Sequence, residues 1–229
     1  MNFNINNYKL IFFDFDGVIV DTEWLHFLAF NEVLKNYNIG ISKEEYLAKY
    51  LAFDDKGCFK KVFEEKLNKK LSLDDINILI KKKNKILMSH IAKKIDYYPD
   101  AIEFINYVSK NFKDIKMAIV SGALRSEIVY ILKKLKIYNK FFLIVSSGDV
   151  KNGKPSAEPF ILAKKLSEQK LKKTIFEKEI LVIEDSINGI KAGLKAGFDV
   201  LAVAHTYNLK ELYKTKANFV VKSLNELIL

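Results

Sequence analysis

Leu10-Ile11-Phe12-Phe13-Asp14-Phe15-Asp16-Gly17-Val18-Ile19-Val20-Asp21-Thr22 is the stretch on which the reading of this chain turns. Leu10 to Phe13 is an unbroken apolar run, the signature of a strand buried on both faces. Asp14 and Asp16 follow, two residues apart, and Gly17 comes next. In an extended chain that spacing places both carboxylates on one side. Folding gains nothing from two like charges at the mouth of a buried strand, because each makes the other harder to ionise. A cation relieves that repulsion, and hard oxygen donors suit magnesium. Gly17 permits a sharp departure from the strand and close approach of a ligand to the backbone. The pattern is not that of an EF-hand loop, which needs a third Asp or Asn before the glycine and a distal Glu.

With 229 residues, 49% of them hydrophobic, the chain has material for one large domain or two small ones. No apolar run approaches the roughly 20 residues a membrane-spanning helix needs. Met1 to Asn7 is rich in Asn and lacks the basic start and cleavage site of a signal peptide. Cys58 is the only cysteine, so no internal disulfide can form, and a cytoplasmic location is the default expectation. The formal net charge of +10 invites a nucleic-acid reading. The excess is almost all lysine, scattered in pairs and triplets, and Arg125 is the only arginine. Phosphate and base readers lean on arginine, so nucleic acid is not the expected partner. A positive field would still draw in a small anionic substrate.

Taken in order, Glu23 to Tyr37 has helical apolar spacing through Trp24, Phe27, Leu28, Val33 and Leu34. Ser42 and Glu45 form a capping box opening a helix to about Leu51. Ala52 to Gly57 reads as a break, Cys58 to Leu67 as helix, Asn68 to Leu71 as loop, and Ser72 to Ile95 as a long capped helix. Beyond Pro99 the pattern alternates. Ala101 to Phe112, Leu124 to Leu135, Ser156 to Glu168, Ser186 to Ala196 and Leu209 to Tyr213 read as helices. Lys116 to Val120, Phe141 to Ser146, Glu179 to Ile183, Asp199 to Ala204 and Phe219 to Val221 read as strands. Alternation of this kind means a parallel sheet with right-handed crossovers, to which the first strand, Lys9 to Phe15, also belongs. The helical block is then an insertion whose two joints should lie side by side.

Ligands of open parallel sheets bind beyond the carboxyl ends of the strands. After the first strand stand Asp14 and Asp16, after the second Ser121-Gly122-Ala123, after the third Gly153-Lys154-Pro155, after the fourth Glu184-Asp185-Ser186. Each has a plainer explanation. Ser121-Gly122 could be only a helix cap, Lys154 one surface lysine among many, and Glu184-Asp185 an acidic pair favoured by a helix dipole. Yet a capped N-terminus with free amides also binds phosphate. Four acids, one lysine and one capped helix at one sheet edge are hard to explain as separate accidents.

These four motifs, with Ile187-Asn188-Gly189-Ile190 continuing the last, resemble those of the haloacid dehalogenase-like hydrolase superfamily, in order and over nearly the whole chain. Asp21-Thr22-Glu23 followed by His26 is similar to its phosphatase and β-phosphoglucomutase branch. The resemblance implies an α/β, Rossmann-like parallel-sheet core, residues 1–20 and 97–229, with a small all-helical cap domain, residues 21–96, inserted after the first strand. It implies Mg²⁺ held by Asp14, Asp16 through its backbone carbonyl, Glu184 and Asp185. Asp14 would be the nucleophile, forming an aspartyl-phosphate. Asp16 would protonate the leaving oxygen and then activate water. Lys154, Ser121 and the amides of Gly122 and Ala123 would bind the phosphoryl oxygens. In the cap, His26, Lys56 and Lys83 are candidates for touching substrate, Lys83 otherwise being a solvated lysine.

The chain departs from the pattern in two places. Ala157 stands where the third motif often has a second proline, which should loosen that loop. Ala52 and Lys56 stand where relatives often carry Gly and Arg, in a segment resembling the substrate-specificity loop. The function implied is a magnesium-dependent phosphatase acting on a small phosphorylated metabolite. The alternatives are a β-phosphoglucomutase-like sugar phosphomutase and a catalytically inactive binding protein on the same scaffold. No membrane partner is expected, and a monomer or weak dimer is.

Overall fold

The computed structural model describes residues 3–50 and 53–228. In chain order the regular elements are β1 Leu10–Phe13, β2 Val20–Asp21, α1 Glu23–Lys35, α2 Lys43–Lys49, α3 Asp55–Leu67, α4 Leu73–Lys93, β3 Asp96–Tyr97, α5 Pro99–Asn111 and β4 Lys116–Val120. Then follow α6 Arg125–Lys134, β5 Phe141–Val145, α7 Glu158–Leu171, β6 Ile180–Glu184, α8 Ile187–Lys195, β7 Asp199–Val203, α9 Leu209–Leu212 and β8 Phe219–Val221. By contacts the chain divides into two compact units. One comprises the described residues through Asp21 together with those from Tyr97 onward; the other is Thr22–Asp96.

The first unit is built on a six-stranded sheet in the order β5-β4-β1-β6-β7-β8, and its paired strands are all parallel. The reason lies in residue types. All four residues of β1 are buried, as are all five of β6, so both faces of these strands must be covered by helices. On one face Leu10, Phe12, Val120, Val182 and Val200 pack with Phe160 of α7 and Ile190 of α8. On the other, Phe13 meets Phe104 of α5, with ring centroids 6.3 Å apart. The strand order reverses around β1: the chain fills positions to one side with β4 and β5, then returns to place β6, β7 and β8 on the other. The crevice beyond such a switch point is where ligands of this architecture bind. The joints of the insertion do lie together, since the Tyr98 amide donates to the Ile19 carbonyl at 3.0 Å.

The unit Thr22–Asp96 has its own core, in which Phe27, Phe30, Leu34, Phe59, Phe63 and Leu79 are buried together. Ser72 and Asp75 form the expected reciprocal box. Ser42 caps α2 by accepting the Glu45 amide at 3.1 Å, but the Glu45 carboxylate turns to Lys49 and Lys66 rather than back to the cap. The helix expected from Cys58 begins earlier, at Asp55: Asp54 accepts the Gly57 amide at 2.8 Å, so Gly57 lies inside the first turn and not in a break. Asn68 closes this helix in the left-handed conformation, φ 50°. Leu51 and Ala52, part of the stretch expected to bear on substrate choice, lie outside the described residues.

Candidate active site

β1 ends at Phe13, one register step below Val120 on one side and Glu184 on the other. Asp14 continues the line for one residue, its amide donating to the Ile183 carbonyl at 2.9 Å. The strand does not run on through Asp16. Ile19 and Val20 both donate to the Phe15 carbonyl, and Gly17 donates to that of Val20 at 2.8 Å, so Asp16 lies in a turn. Simple strand alternation therefore does not set where the two carboxylates point. They are nonetheless close enough for Asp16 to help raise the Asp14 carboxyl.

Asp14, Lys154, Glu184 and Asp185 come together at this edge. The Lys154 ammonium donates to Asp14 Oδ1 at 2.5 Å, to Glu184 Oε1 at 2.6 Å and to the Val120 carbonyl at 2.9 Å, so one lysine binds the ends of three strands. Glu184 is fully buried. Its second oxygen accepts the amides of Asp185 and Ser186, both at 3.1 Å, and the Ser186 hydroxyl at 2.9 Å. With Lys154, that occupies the roughly four acceptor positions of a carboxylate. Asp185 differs: its Oδ1 is buried and has no hydrogen-bond partner.

The electrostatics follow from burial. Desolvation pushes the Asp14 carboxyl up to about 7; the nearby Lys154 works against this, and the Glu184 and Asp16 charges add to it. Burial also raises Asp185 well above the usual carboxylate range, reinforced by Glu184 and Asp14. Burial alone would lower Lys154, but the Asp14 and Glu184 carboxylates outweigh it and hold the lysine above its ordinary value. Asp14, Glu184 and Asp185 each bring a carboxylate oxygen within 4.8 Å of the others. Buried oxygens crowded with one lysine, one of them unpartnered, are a donor set that fits a hard divalent cation.

Two glycines exist to let these carboxylates in. Gly17 has φ +82°, and a Cβ there would stand 2.1 Å from Asp185 Oδ2. The close approach expected at Gly17 is thus made by an acid of the chain itself. A Cβ on Gly189 in α8 would stand 1.7 Å from Glu184 Oε1. Gly189 shows no role in the sequence alone, because the contact is visible only once α8 is laid over the end of β6. Gly17→Ala is expected to destabilise the chain by about 3 kcal/mol or more, through left-handed strain plus the clash. Thermal melting would measure it, and a loss under 1 kcal/mol would contradict this account.

Ser121 is buried, and its hydroxyl accepts the Ala123 amide at 3.0 Å. That corrects the cap reading of Ser121: the N-cap of α6 is Leu124, and no side chain caps it. It also means that the Ala123 amide already has an internal acceptor. A Cβ at Gly122 meets nothing within 4 Å. Gly122→Ala should therefore leave the melting temperature within about 2 °C of wild type. If this loop receives a phosphoryl group, the same change raises KM; an unchanged KM would remove Gly122 from the binding surface.

The third-motif loop is braced by residues that pattern reading passed over. Glu158 accepts the amides of Lys151 and Asn152 at 2.7 and 3.0 Å, and Lys195 donates to the Pro155 carbonyl at 3.1 Å. The Lys154–Pro155 peptide is cis. The loosening expected from Ala157 is thus countered from Glu158, one residue on. Arg125 bonds Asp149 Oδ2 at 2.7 Å and the Ile144 carbonyl at 2.8 Å, pinning the segment that follows β5.

The three cap residues fall differently. Lys83 is not a solvated lysine: its side chain is 1% exposed, and its ammonium lies 2.7 Å from Asp55 Oδ1 and 2.7 Å from His26 Nδ1. Lys56, next to Asp55 on α3, is exposed. So His26 and Lys83 meet each other, while Lys56 is exposed on the surface.

A parallel α/β core with a buried aspartate at the end of its central strand, a lysine on that aspartate and an acidic pair beside it define a class of phosphoryl-transfer enzyme. The family model for haloacid dehalogenase-like hydrolases matches residues 11–203, and the chain belongs to that family. A phosphorylated carbohydrates phosphatase of Thermotoga maritima is 27% identical over 201 residues, covering 87% of each chain. A pyrophosphatase PpaX of Bacillus anthracis is 24% identical over 220 residues, covering 96% of this chain and 94% of that one. The crystal structure of a β-phosphoglucomutase from Clostridium difficile superposes with a TM-score of 0.79 at 27% identity, covering 96% of this chain and 93% of that one. The protein is accordingly an enzyme of the phosphatase and phosphomutase type. Among the described residues, no helix is long and apolar enough to cross a membrane.

Proposed function

We propose that the chain is a magnesium-dependent phosphatase of the cytoplasm that hydrolyses the monoester of a small phosphorylated metabolite, a phosphorylated sugar being the first candidate. The observation that carries this reading is the Asp14–Lys154 pair, 2.5 Å apart and buried beside the unpartnered oxygen of Asp185. In the proposed reaction an Asp14 oxygen attacks phosphorus, forming an acyl phosphate as the bond to the leaving oxygen breaks. Asp16 gives that oxygen its proton. Asp16 then takes a proton from water, which attacks phosphorus, releasing inorganic phosphate and regenerating the Asp14 carboxylate.

Lys154 neutralises charge on the phosphoryl oxygens, and Ser121, Gly122 and Ala123 offer the other side of the cradle. Asp14, the backbone carbonyl of Asp16, Glu184 and Asp185 would hold the magnesium, with Glu184 sharing an oxygen already bonded within the protein. The ion would supply positive charge that keeps Asp14 ionised at neutral pH and offsets charge on the phosphoryl group.

One observation favours the mutase as a second reading: the part-buried contact between Lys83 and His26, both of which resemble residues of that branch. The inactive-scaffold reading is opposed by the complete set of Asp14, Asp16, Lys154, Glu184 and Asp185. The test is inorganic phosphate release from a panel of phosphorylated metabolites, with and without magnesium. Isomerisation of β-glucose 1-phosphate is measured alongside. Magnesium-dependent release establishes the phosphatase; isomerisation without net release establishes the mutase; neither returns the scaffold reading.

A further inference from the structure

His205 follows β7 and takes no part in the chemistry proposed above. Its Nδ1 lies 2.9 Å from the Gly17 carbonyl oxygen and its Nε2 3.2 Å from Asp100 Oδ2. A carbonyl oxygen only accepts, so at Gly17 the ring is the donor. Asp100, in the first turn of α5, also accepts the Ser223 hydroxyl at 2.7 Å and the Leu224 amide at 2.8 Å. Burial works against it, but these bonds and that from His205 hold the Asp100 carboxyl well below the usual carboxylate range. The Tyr98 ring lies flat on the imidazole, centroids 3.8 Å apart at 6°. The His205 side chain is 8% exposed.

Gly17 adjoins Asp16, and it is held from three sides. Its amide donates to Val20, its α-carbon faces the Asp185 carboxylate, and its carbonyl meets His205. The first two restraints come from the turn and from an acid of the site. The third ties the turn to a firmly bonded point elsewhere in the sheet unit, alongside the bond from the Tyr98 amide to the Ile19 carbonyl. We propose that His205 is a positioning residue for the Asp14–Val20 turn: by holding the Gly17 carbonyl it fixes the Gly17–Val18 peptide and, through Gly17, the turn that carries Asp16. The effect on rate rests on the phosphatase reading; the effect on the turn does not.

The test compares wild type, His205→Phe and His205→Asn. Phenylalanine keeps a ring against Tyr98 but loses both hydrogen bonds; asparagine keeps a donor near the place of Nδ1. Hydrogen exchange of the Gly17, Ile19 and Val20 amides is measured with phosphate release. In His205→Phe these three amides are expected to exchange at least about 10-fold faster, while those of β4 and β6 stay as in wild type. kcat falls about 10-fold or more with KM within about two-fold, because the loss is of geometry and not of substrate contact. His205→Asn recovers most of both. Unchanged exchange of the turn in His205→Phe overturns the proposal whatever the activity does. A lower melting temperature with kcat per folded molecule unchanged also overturns it, leaving His205 a merely structural residue. A wild type that releases no phosphate, with exchange still quickened in the variant, sinks the phosphatase reading and leaves the tie to the turn in place. Should His205→Phe not fold, the exchange comparison is made on His205→Asn, with a smaller change of the same sign expected.

Discussion

An Asp14→Asn variant is expected to lose phosphate release by a factor on the order of 10⁴ or more and yet, without added metal, to melt higher than wild type at pH 8. The first half follows from chemistry: an amide cannot take the place of the attacking carboxylate. The second follows from burial. Asp14 is pushed up to about 7 by desolvation and by the acids around it. An acid whose folded value lies above its unfolded one binds its proton more tightly in the folded chain. Its contribution favours the fold at low pH and is lost as pH rises from about 4 through 7. At pH 8 the ionised Asp14 costs on the order of 4 kcal/mol relative to the unfolded chain. Asparagine removes that cost and can still accept from Lys154. A gain of roughly 8–16 °C at pH 8 is expected, shrinking towards zero near pH 4. Magnesium should raise the wild-type melting point and narrow the gap. Thermal melting across pH, with and without magnesium, measures both. A variant that melts lower than wild type at pH 8 would show that Asp14 is a net structural support, which the crowding of acids around it denies.

The sheet was legible because its strands are buried on both faces. Lys116–Val120 and Phe219–Val221 stand where the apolar runs place them. The acids were legible for the opposite reason: carboxylates directly after such runs serve no folding purpose. What the sequence could not show was which residue meets which. The end of β1 depends on how the turn closes on Phe15: the strand line stops at Asp14, two residues short of Asp16, so strand alternation cannot relate their two carboxylates. The start of α3 was misplaced because glycine is a poor helix former, while the Asp54 cap, which overrides that cost, looked like part of a loop. Lys83 read as solvated because its partners, Asp55 and His26, come from two other helices. Gly189 and Glu158 carry no chemistry of their own. Their roles consist of a missing Cβ and of two accepted amides, and neither leaves a pattern in one sequence.

Lys154→Met is the substitution expected to do most harm to the fold and the site together. In wild type the ammonium is nearly buried, with a side chain 13% exposed, and makes three bonds of 2.5–2.9 Å. Methionine fills much the same volume, so the loss is of charge and hydrogen bonds rather than of packing. Removing one partner from a buried ion pair costs about 3–5 kcal/mol, because the charges left behind are no longer compensated. Here those are Asp14 and Glu184, with Asp185 close by.

The pH dependence has a definite sign. Lys154 is held above its ordinary value, so across pH 5–9 it is charged in wild type, and its contribution is present throughout. The variant loses that contribution and leaves acids that ionise only at a cost. Its deficit is therefore largest at pH 8 and shrinks as the carboxylates protonate towards pH 5. A fall of roughly 6–20 °C at pH 8 is expected, with phosphate release lost along with it. The double variant Lys154→Met, Glu184→Gln should recover part of the stability, since it removes one stranded charge, while activity stays absent. If the single variant melted within about 2 °C of wild type at pH 8, the lysine would be held for the substrate alone. The three strand ends would then owe their arrangement to backbone and packing, and the energetic part of this account would fail even if the catalytic part stood.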